Sequence, residues 1–173
     1  QDPAGGPARG PGPVTVAVRA GVLALQGDFR EHAAALAAAG AEPVLVRTPA
    51  DLAGLAVLVI PGGESTTMGA LAERFGLMGP LRSAITGGLP TLGTCAGMIL
   101  LAAGTTGPRL QPQLGVLGVG GERNAFGGQV ASFETDLEVA GLPGLMRAVF
   151  IRAPWVRRCG PGVEVLASID GHP

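Results

Sequence analysis

Tyrosine is absent from this chain, tryptophan occurs once, at 155, and histidine only twice, at 32 and 172. Without aromatic side chains to stack on bases, and without a cluster of Lys and Arg, the chain lacks the equipment of a nucleic-acid binder. Its net charge of -1 sets up no field towards nucleic acid or an anionic membrane. No apolar run reaches the ~18 residues that a spanning helix needs. No charged segment followed by an apolar core marks a secretory signal. Two cysteines, Cys95 and Cys159, make neither a disulfide framework nor a metal cluster. These absences point to a cytoplasmic, reducing compartment, with no membrane or nucleic-acid partner and no metal.

What the chain has in excess is glycine (30) and proline (15), set in a sequence that is 47% hydrophobic. The excess is partly local: residues 1–13, QDPAGGPARGPGP, have almost nothing to bury and read as disordered, or as an expression scar. The expected division is a Pro/Gly-rich tail over 1–19 and one domain over 20–173, long enough for a real core. No internal repeat and no second domain are visible.

Within that domain strands alternate with helices. Gly21–Leu25, Val44–Val46, Ala56–Ile60 and Leu89–Leu92 are short apolar runs. Phe29–Ala39, Thr67–Phe75 and Ala96–Ala103 read as helices, the first stopped by Gly40 and the last apolar all round. Apolar strands separated by helices argue for a parallel sheet covered on both faces. After Gly104 the pattern changes to strand-like segments at 116–119, 129–137, 148–151 and 163–167, an antiparallel or mixed extension of the sheet.

The sharpest local feature is Gly93-Thr94-Cys95-Ala96-Gly97, a G-x-nucleophile-x-G pattern between an apolar strand and an apolar helix. Flanking glycines permit a tight turn and close backbone approach. The thiol then sits at a helix N-terminus, where the dipole favours thiolate, and the following N–H can hold an oxyanion. A buried small cysteine in a Gly-rich turn fits the pentapeptide equally well. Cys159 follows Arg157-Arg158 with no such pattern and reads as a loop or packing residue.

The second feature is Pro61-Gly62-Gly63-Glu64-Ser65-Thr66-Thr67, after a strand and opening a helix. Gly62-Gly63 can turn successive N–H groups towards an anion or carbonyl oxygen. Glu64 offers an acceptor for an amine and Ser65 a hydroxyl. A plain helix cap at Ser65 or Thr66 explains the same residues, and both readings can hold together.

Taken together, PGGEST, GTCAG about thirty residues later, and Glu122-Arg123-Asn124-Ala125-Phe126-Gly127-Gly128-Gln129 resemble the glutaminase subunits of pyridoxal 5'-phosphate synthase, within the class I glutamine amidotransferases. Leu25-Gln26-Gly27-Asp28-Phe29-Arg30-Glu31-His32, Ser132-Phe133-Glu134 and Val149-Phe150-Ile151-Arg152-Ala153-Pro154 extend the likeness over about residues 21–171. The resemblance implies an α/β, three-layer, flavodoxin-like domain with a mostly parallel sheet and an antiparallel extension. It implies hydrolysis of L-glutamine to glutamate and ammonia, with no cofactor, and delivery of ammonia to a synthase (lyase) subunit. It casts Cys95 as nucleophile forming a glutamyl thioester, and Gly63 and the Ala96 N–H as oxyanion hole. Gly63, Glu64 and Ser65 would lie along the substrate, with Arg123, Ile151 and Arg152 completing its site. An arginine suits the substrate's carboxylate because its fork makes two hydrogen bonds; a surface ion pair is the other reading of Arg123 and Arg152. For His32 the resemblance allows a structural or synthase-facing role.

The likeness departs from the family at one point. The family's base and orienting acid come from a late His-Pro-Glu segment, and His172-Pro173 match the region upstream of it, so the triad's His and Glu are expected to be missing, with the last strands and helix. A natural chain that continues explains this, as does a shortened, non-catalytic subunit that still binds glutamine and partner. A further alternative is an amidotransferase of another pathway, or a Cys-elbow hydrolase or chaperone, against which the ERNAFGGQ segment argues.

Overall fold

The computed structural model describes residues 17–106, 111–122, 132–151 and 153–173, with only the backbone of residues 105, 106, 121 and 122. Most of the expected tail, 1–16, lies outside the described residues, as do Arg123, Arg152 and most of ERNAFGGQ.

Strand β1 (Arg19–Leu23) begins one residue before the expected boundary, with its Arg19 guanidinium donating to the Ala53 carbonyl at 2.9 Å. Its last four residues are all buried, the mark of a strand covered on both faces. Helix α1 (Phe29–Ala38) packs on β1 and β2 (Glu42–Val46), although no residue of α1 is fully buried. A 3-10 turn (Pro49–Leu52), closed by a Thr48–Asp51 capping box, leads to β3 (Val57–Ile60). Helices α2 (Ser65–Arg74) and α3 (Met78–Thr86) follow, then β4 (Thr91–Gly93) and α4 (Ala96–Leu101).

The four strands form one parallel sheet in the order β2-β1-β3-β4. The chain steps outward from β1 to β2, then crosses back to β3 on the other side of β1. That reversal leaves a crevice outside the carboxyl ends of β1 and β3, where open α/β sheets bind ligands. The core lies between the sheet and α2, α3 and α4: Leu23, Leu58, Ile60, Met68, Leu77, Leu81 and Leu100 are fully buried. Each is worth roughly 1.5–3 kcal/mol relative to exposure, so this layer fixes where β3 and α4 end.

Beyond α4 lie two smaller sheets. β5 (Ala102–Thr106) pairs parallel with β6 (Leu117–Glu122), and β6 pairs antiparallel with β9 (Trp155–Cys159). β7 (Ser132–Glu138) and β8 (Leu145–Ile151) form an antiparallel hairpin with Phe133 stacked on Phe150. The expected extension is therefore present as separate sheets.

Several boundaries differ from the sequence reading. α4 stops at Leu101 because Ala102 turns extended (φ -58°, ψ 149°) to open β5. α3 has Gly79 and Pro80 in its first turn, which masks its helical pattern, although Pro is tolerated where an N–H has no helical partner. Polar β9 is held by its ladder to β6. Val163–Ala167 joins no sheet and is tied by the Ala140 N–H donating to the Leu166 carbonyl at 2.8 Å.

Candidate active site

A cleft of about 910 Å³ opens at the carboxyl ends of the parallel strands. Asp28 after β1, Gly62–Ser65 after β3 and Thr94–Ala96 after β4 line one side. Val149, Phe150 and Ile151 of β8, with Ala153, Pro154, Val156 and Pro173, line the other. Of the residues singled out in the sequence, Cys95, Ala96, Gly63, Glu64, Ser65 and Ile151 thus share one cavity, while Arg123 and Arg152 lie outside the described residues.

Cys95 has φ 46° and ψ -103°, one of two non-glycine residues with positive φ among those described. This is a strained conformation for an L-residue, costing of order 1–3 kcal/mol, and it persists where the surroundings impose it. They do so here through the backbone. The Thr94 N–H donates to the Ile60 carbonyl at 3.1 Å and the Gly97 N–H to the Thr94 carbonyl at 2.7 Å. A β-carbon at Gly93 would lie 2.8 Å from the Gly97 carbonyl carbon, so the two glycines let strand and helix meet. The exposed Cys95 thiol stands at the start of α4, a helix of six residues. Cys159 lies on β9 opposite Val119.

The Gly62–Ser65 loop is held from two sides. The Asp28 N–H donates to the Gly62 carbonyl at 3.3 Å, and the Glu64 N–H donates to Gln26 Oε1 at 2.8 Å. Gly63 has φ 148° and sits so close to Gln26 and Gly27 that a β-carbon would overlap Gln26 Oε1. Glu64, exposed at the cleft, is the cap of α2: its carboxylate accepts from the Thr67 N–H at 2.7 Å, the Thr67 hydroxyl at 2.8 Å and the Thr66 N–H at 3.1 Å. Partial burial pushes this carboxyl up, but the bonds from Thr67 and Thr66 outweigh it and hold it down at about 2. The helix cap is thus present, but at Glu64, one residue before Ser65 and two before Thr66. Buried Ser65 and its neighbour Thr66 donate their hydroxyls to Gln111 Oε1 at 2.9 and 3.2 Å.

His32 is brought to the elbow: its Nε2 lies 3.2 Å from Thr94 Oγ1 and 3.8 Å from Asp28 Oδ2. His172 closes a two-residue turn with Ile169, in which Asp170 and Gly171 both have positive φ, and its ring meets Trp155 edge-on at 3.5 Å between centroids. Gln26, Asp28 and Gln111 escaped the sequence reading as site residues. Each acts across more than thirty residues of sequence, and only the position of Gln26 and Asp28 at the end of β1 hinted at it. No group of three or more His, Cys, Asp or Glu among the described residues could hold a metal ion, and no described helix is long and apolar enough to cross a membrane.

The chain as a whole is similar to proteins that are known. Residues 22–172 match the family model of the SNO glutamine amidotransferases. The chain is 57% identical over 159 residues to the pyridoxal 5'-phosphate synthase subunit PdxT of Mycobacterium tuberculosis strain H37Rv, covering 89% of this chain and 80% of that one. It is 58% identical over 159 residues to the subunit of the same name from Parafrankia sp., covering 91% and 78%. A crystal structure of a glutamine amidotransferase superposes with a TM-score of 0.82 at 54% identity, covering 89% of this chain and 82% of that one.

Proposed function

This chain belongs to the SNO glutamine amidotransferase family, and from that premise we propose that Cys95 is the nucleophile with which it hydrolyses glutamine to glutamate and ammonia, in the service of pyridoxal 5'-phosphate synthesis. The observation that carries the assignment is the strained Cys95 turn, facing a cleft shared with the Gly62–Ser65 loop.

The Cys95 sulfur attacks the side-chain amide carbon of glutamine, and the carbonyl oxygen takes the negative charge. The Ala96 N–H is one of the first N–H groups of α4, which have no carbonyl partner within the helix. With the Gly63 N–H across the cleft it serves the oxyanion. The C–N bond breaks, the nitrogen takes up the proton that the Cys95 thiol gives up and leaves as ammonia, and a glutamyl thioester remains. Water then hydrolyses the thioester, releasing glutamate and restoring the thiol.

Ser65, Ile151 and the Glu64 backbone line the substrate, and Arg123 and Arg152 take its carboxylate. The Glu64 side chain is committed to capping α2, so its contribution to the substrate's amine is a fixed negative charge at the cleft. Neither histidine is assigned as general base: His32 Nε2 faces Thr94, and the His172 ring faces Trp155. The partner is the synthase subunit that consumes the ammonia, as the name borne by the 57–58% identical relatives supports.

The test is glutamate release from glutamine with and without a pyridoxal 5'-phosphate synthase subunit. Cys95→Ala is expected to abolish release and Cys159→Ala to leave it intact. The synthase is expected to stimulate a weak basal rate. Equal losses in the two cysteine variants would refute the assignment of the nucleophile, and full activity without a synthase would refute the coupling.

A further inference from the structure

Resting on the reading of Cys95 as nucleophile, we propose that His32 and Thr94 form a positioning pair that braces the nucleophile turn against the first helix. Thr94 directly precedes Cys95 and is among the residues that line the same cleft. The backbone bonds to Ile60 and Gly97 hold the inner side of this turn. The outer side is reached by the Thr94 hydroxyl, which His32 Nε2 meets at 3.2 Å from 62 residues away in sequence.

His32 is suited to this task. It stands at the start of α1 with its side chain 23% exposed, so packing restricts its rotamers. Either tautomer makes the bond, because a hydroxyl both donates and accepts. The same turn of α1 also holds the other half of the site. The Asp28 N–H donates to the Gly62 carbonyl, and the Asp28 carboxylate lies against Gly62, as does Cys95 Cβ. One helical turn thus touches both the loop that receives the oxyanion and the turn that carries the sulfur. Releasing Thr94 frees the second to move relative to the first, which lowers the rate of attack and leaves substrate affinity in place.

The test is affinity labelling of the full chain with a chloromethyl ketone analogue of glutamine. The Cys95 sulfur displaces chloride from its reactive carbon only when the bound pose is right. Iodoacetamide, which needs no such pose, is the control. His32→Asn is too short to reach Thr94, whereas the His32→Gln amide extends to where Nε2 stands; both are polar, so the comparison is of reach. His32→Asn and Thr94→Val are each expected to slow maximal inactivation about tenfold or more, the scale set by small misplacements of reacting groups. In His32→Asn, half-saturation and the iodoacetamide rate should stay within about twofold of the parent, since His32 is not among the residues that line the cleft. His32→Gln and Thr94→Ser should recover most of the rate. The double variant should be no slower than the slower single, because both remove one contact.

Parent-like inactivation in His32→Asn and Thr94→Val overturns the brace, as do equal losses in His32→Asn and His32→Gln, or losses that multiply in the double variant. Labelling that is absent from the parent chain, or that survives Cys95→Ala, overturns the nucleophile assignment instead.

Discussion

The carbonyl of Ile60 and the α-carbon of Gly97 face each other so closely that a β-carbon at 97 would overlap the carbonyl oxygen and lie 2.7 Å from its carbon. This contact joins the end of β3 to α4, and so ties the Gly62–Ser65 loop to the turn that carries Cys95. Both partners are backbone or rigidly packed, so an added methyl has nowhere to go. Gly97→Ala is expected to destabilise the fold by about 1–3 kcal/mol or more, the usual cost of overpacking, and to lower the rate of glutamine hydrolysis by parting the two loops. Gly79, in the first turn of α3, has nothing within 4 Å of its built β-carbon. Gly79→Ala should therefore cost much less than Gly97→Ala, its one added contact being with the Pro80 ring, which disfavours helical backbone in a non-glycine residue before it. Urea midpoints at unchanged slope decide both; a Gly97→Ala protein as stable as the parent would show that the close approach is not a constraint.

Strain at Cys95 makes a different prediction, separable from catalysis. With φ 46° and ψ -103° a β-carbon is unfavourable at this position, whatever the side chain. Cys95→Ala and Cys95→Gly both remove the sulfur, yet only the glycine relieves the backbone. Cys95→Gly is therefore expected to be the more stable of the two by about 1 kcal/mol, even after the entropy that glycine loses on folding. The reverse order in thermal or urea unfolding would mean that the turn is unstrained in solution.

Much of this architecture is legible in the sequence, because the parallel sheet is built from apolar runs whose burial on both faces leaves little choice. Val57–Ile60 and the pentapeptide around Cys95 announce their own structure: β-branched residues for the strand, paired glycines for the turn. The elements that escaped are those whose local preference is weak and whose stability comes from elsewhere. β9 contains Arg157 and Arg158 and exists through its ladder to β6; α3 carries Gly79 and Pro80 in its first turn and is held through Leu81 and Leu77. The same distinction runs through the site. Cys95 and the Gly62–Gly63 loop are short-range motifs, whereas the Gln26 and His32 contacts depend on β1 ending level with β3 and with β4. No spacing encodes that; the strand order does.

Arg82 supplies a prediction about long-range wiring. Its Nε donates to the Leu114 carbonyl at 2.7 Å and its Nη2 to the Gln113 carbonyl at 3.2 Å, while Gln113 Nε2 donates to the Ile99 carbonyl at 2.9 Å. α3 is thereby tied through this loop to α4. Arg82→Ala should cost about 1–2 kcal/mol, the range for charge-assisted bonds to partly buried carbonyls. Arg82→Lys should recover only part, because a single ammonium cannot reproduce the fork. Denaturant midpoints of the three proteins give the order directly, and full recovery by lysine would rule out the two-pronged contact.

The acid limb of stability should carry the signature of Glu64. Its carboxyl is held at about 2 against an ordinary value of 4.5, chiefly because bonds from Thr67 and Thr66 outweigh the upward push of partial burial. A depressed carboxylate contributes stability that is fully present above its unfolded value. That contribution is lost as pH falls through the folded one. The window is therefore pH 4.5 down to about 2, where protonation releases the first turn of α2. Glu64→Gln removes the titration while keeping one acceptor oxygen, so its stability should fall less steeply than the parent's across that window. At neutral pH it should be the less stable protein, by up to about 1 kcal/mol on the scale of helix caps. Parallel pH–stability curves for parent and variant would contradict the cap. Because the loop that Glu64 anchors also carries Gly63, the proposed oxyanion site should be lost with the first turn of α2, before global unfolding.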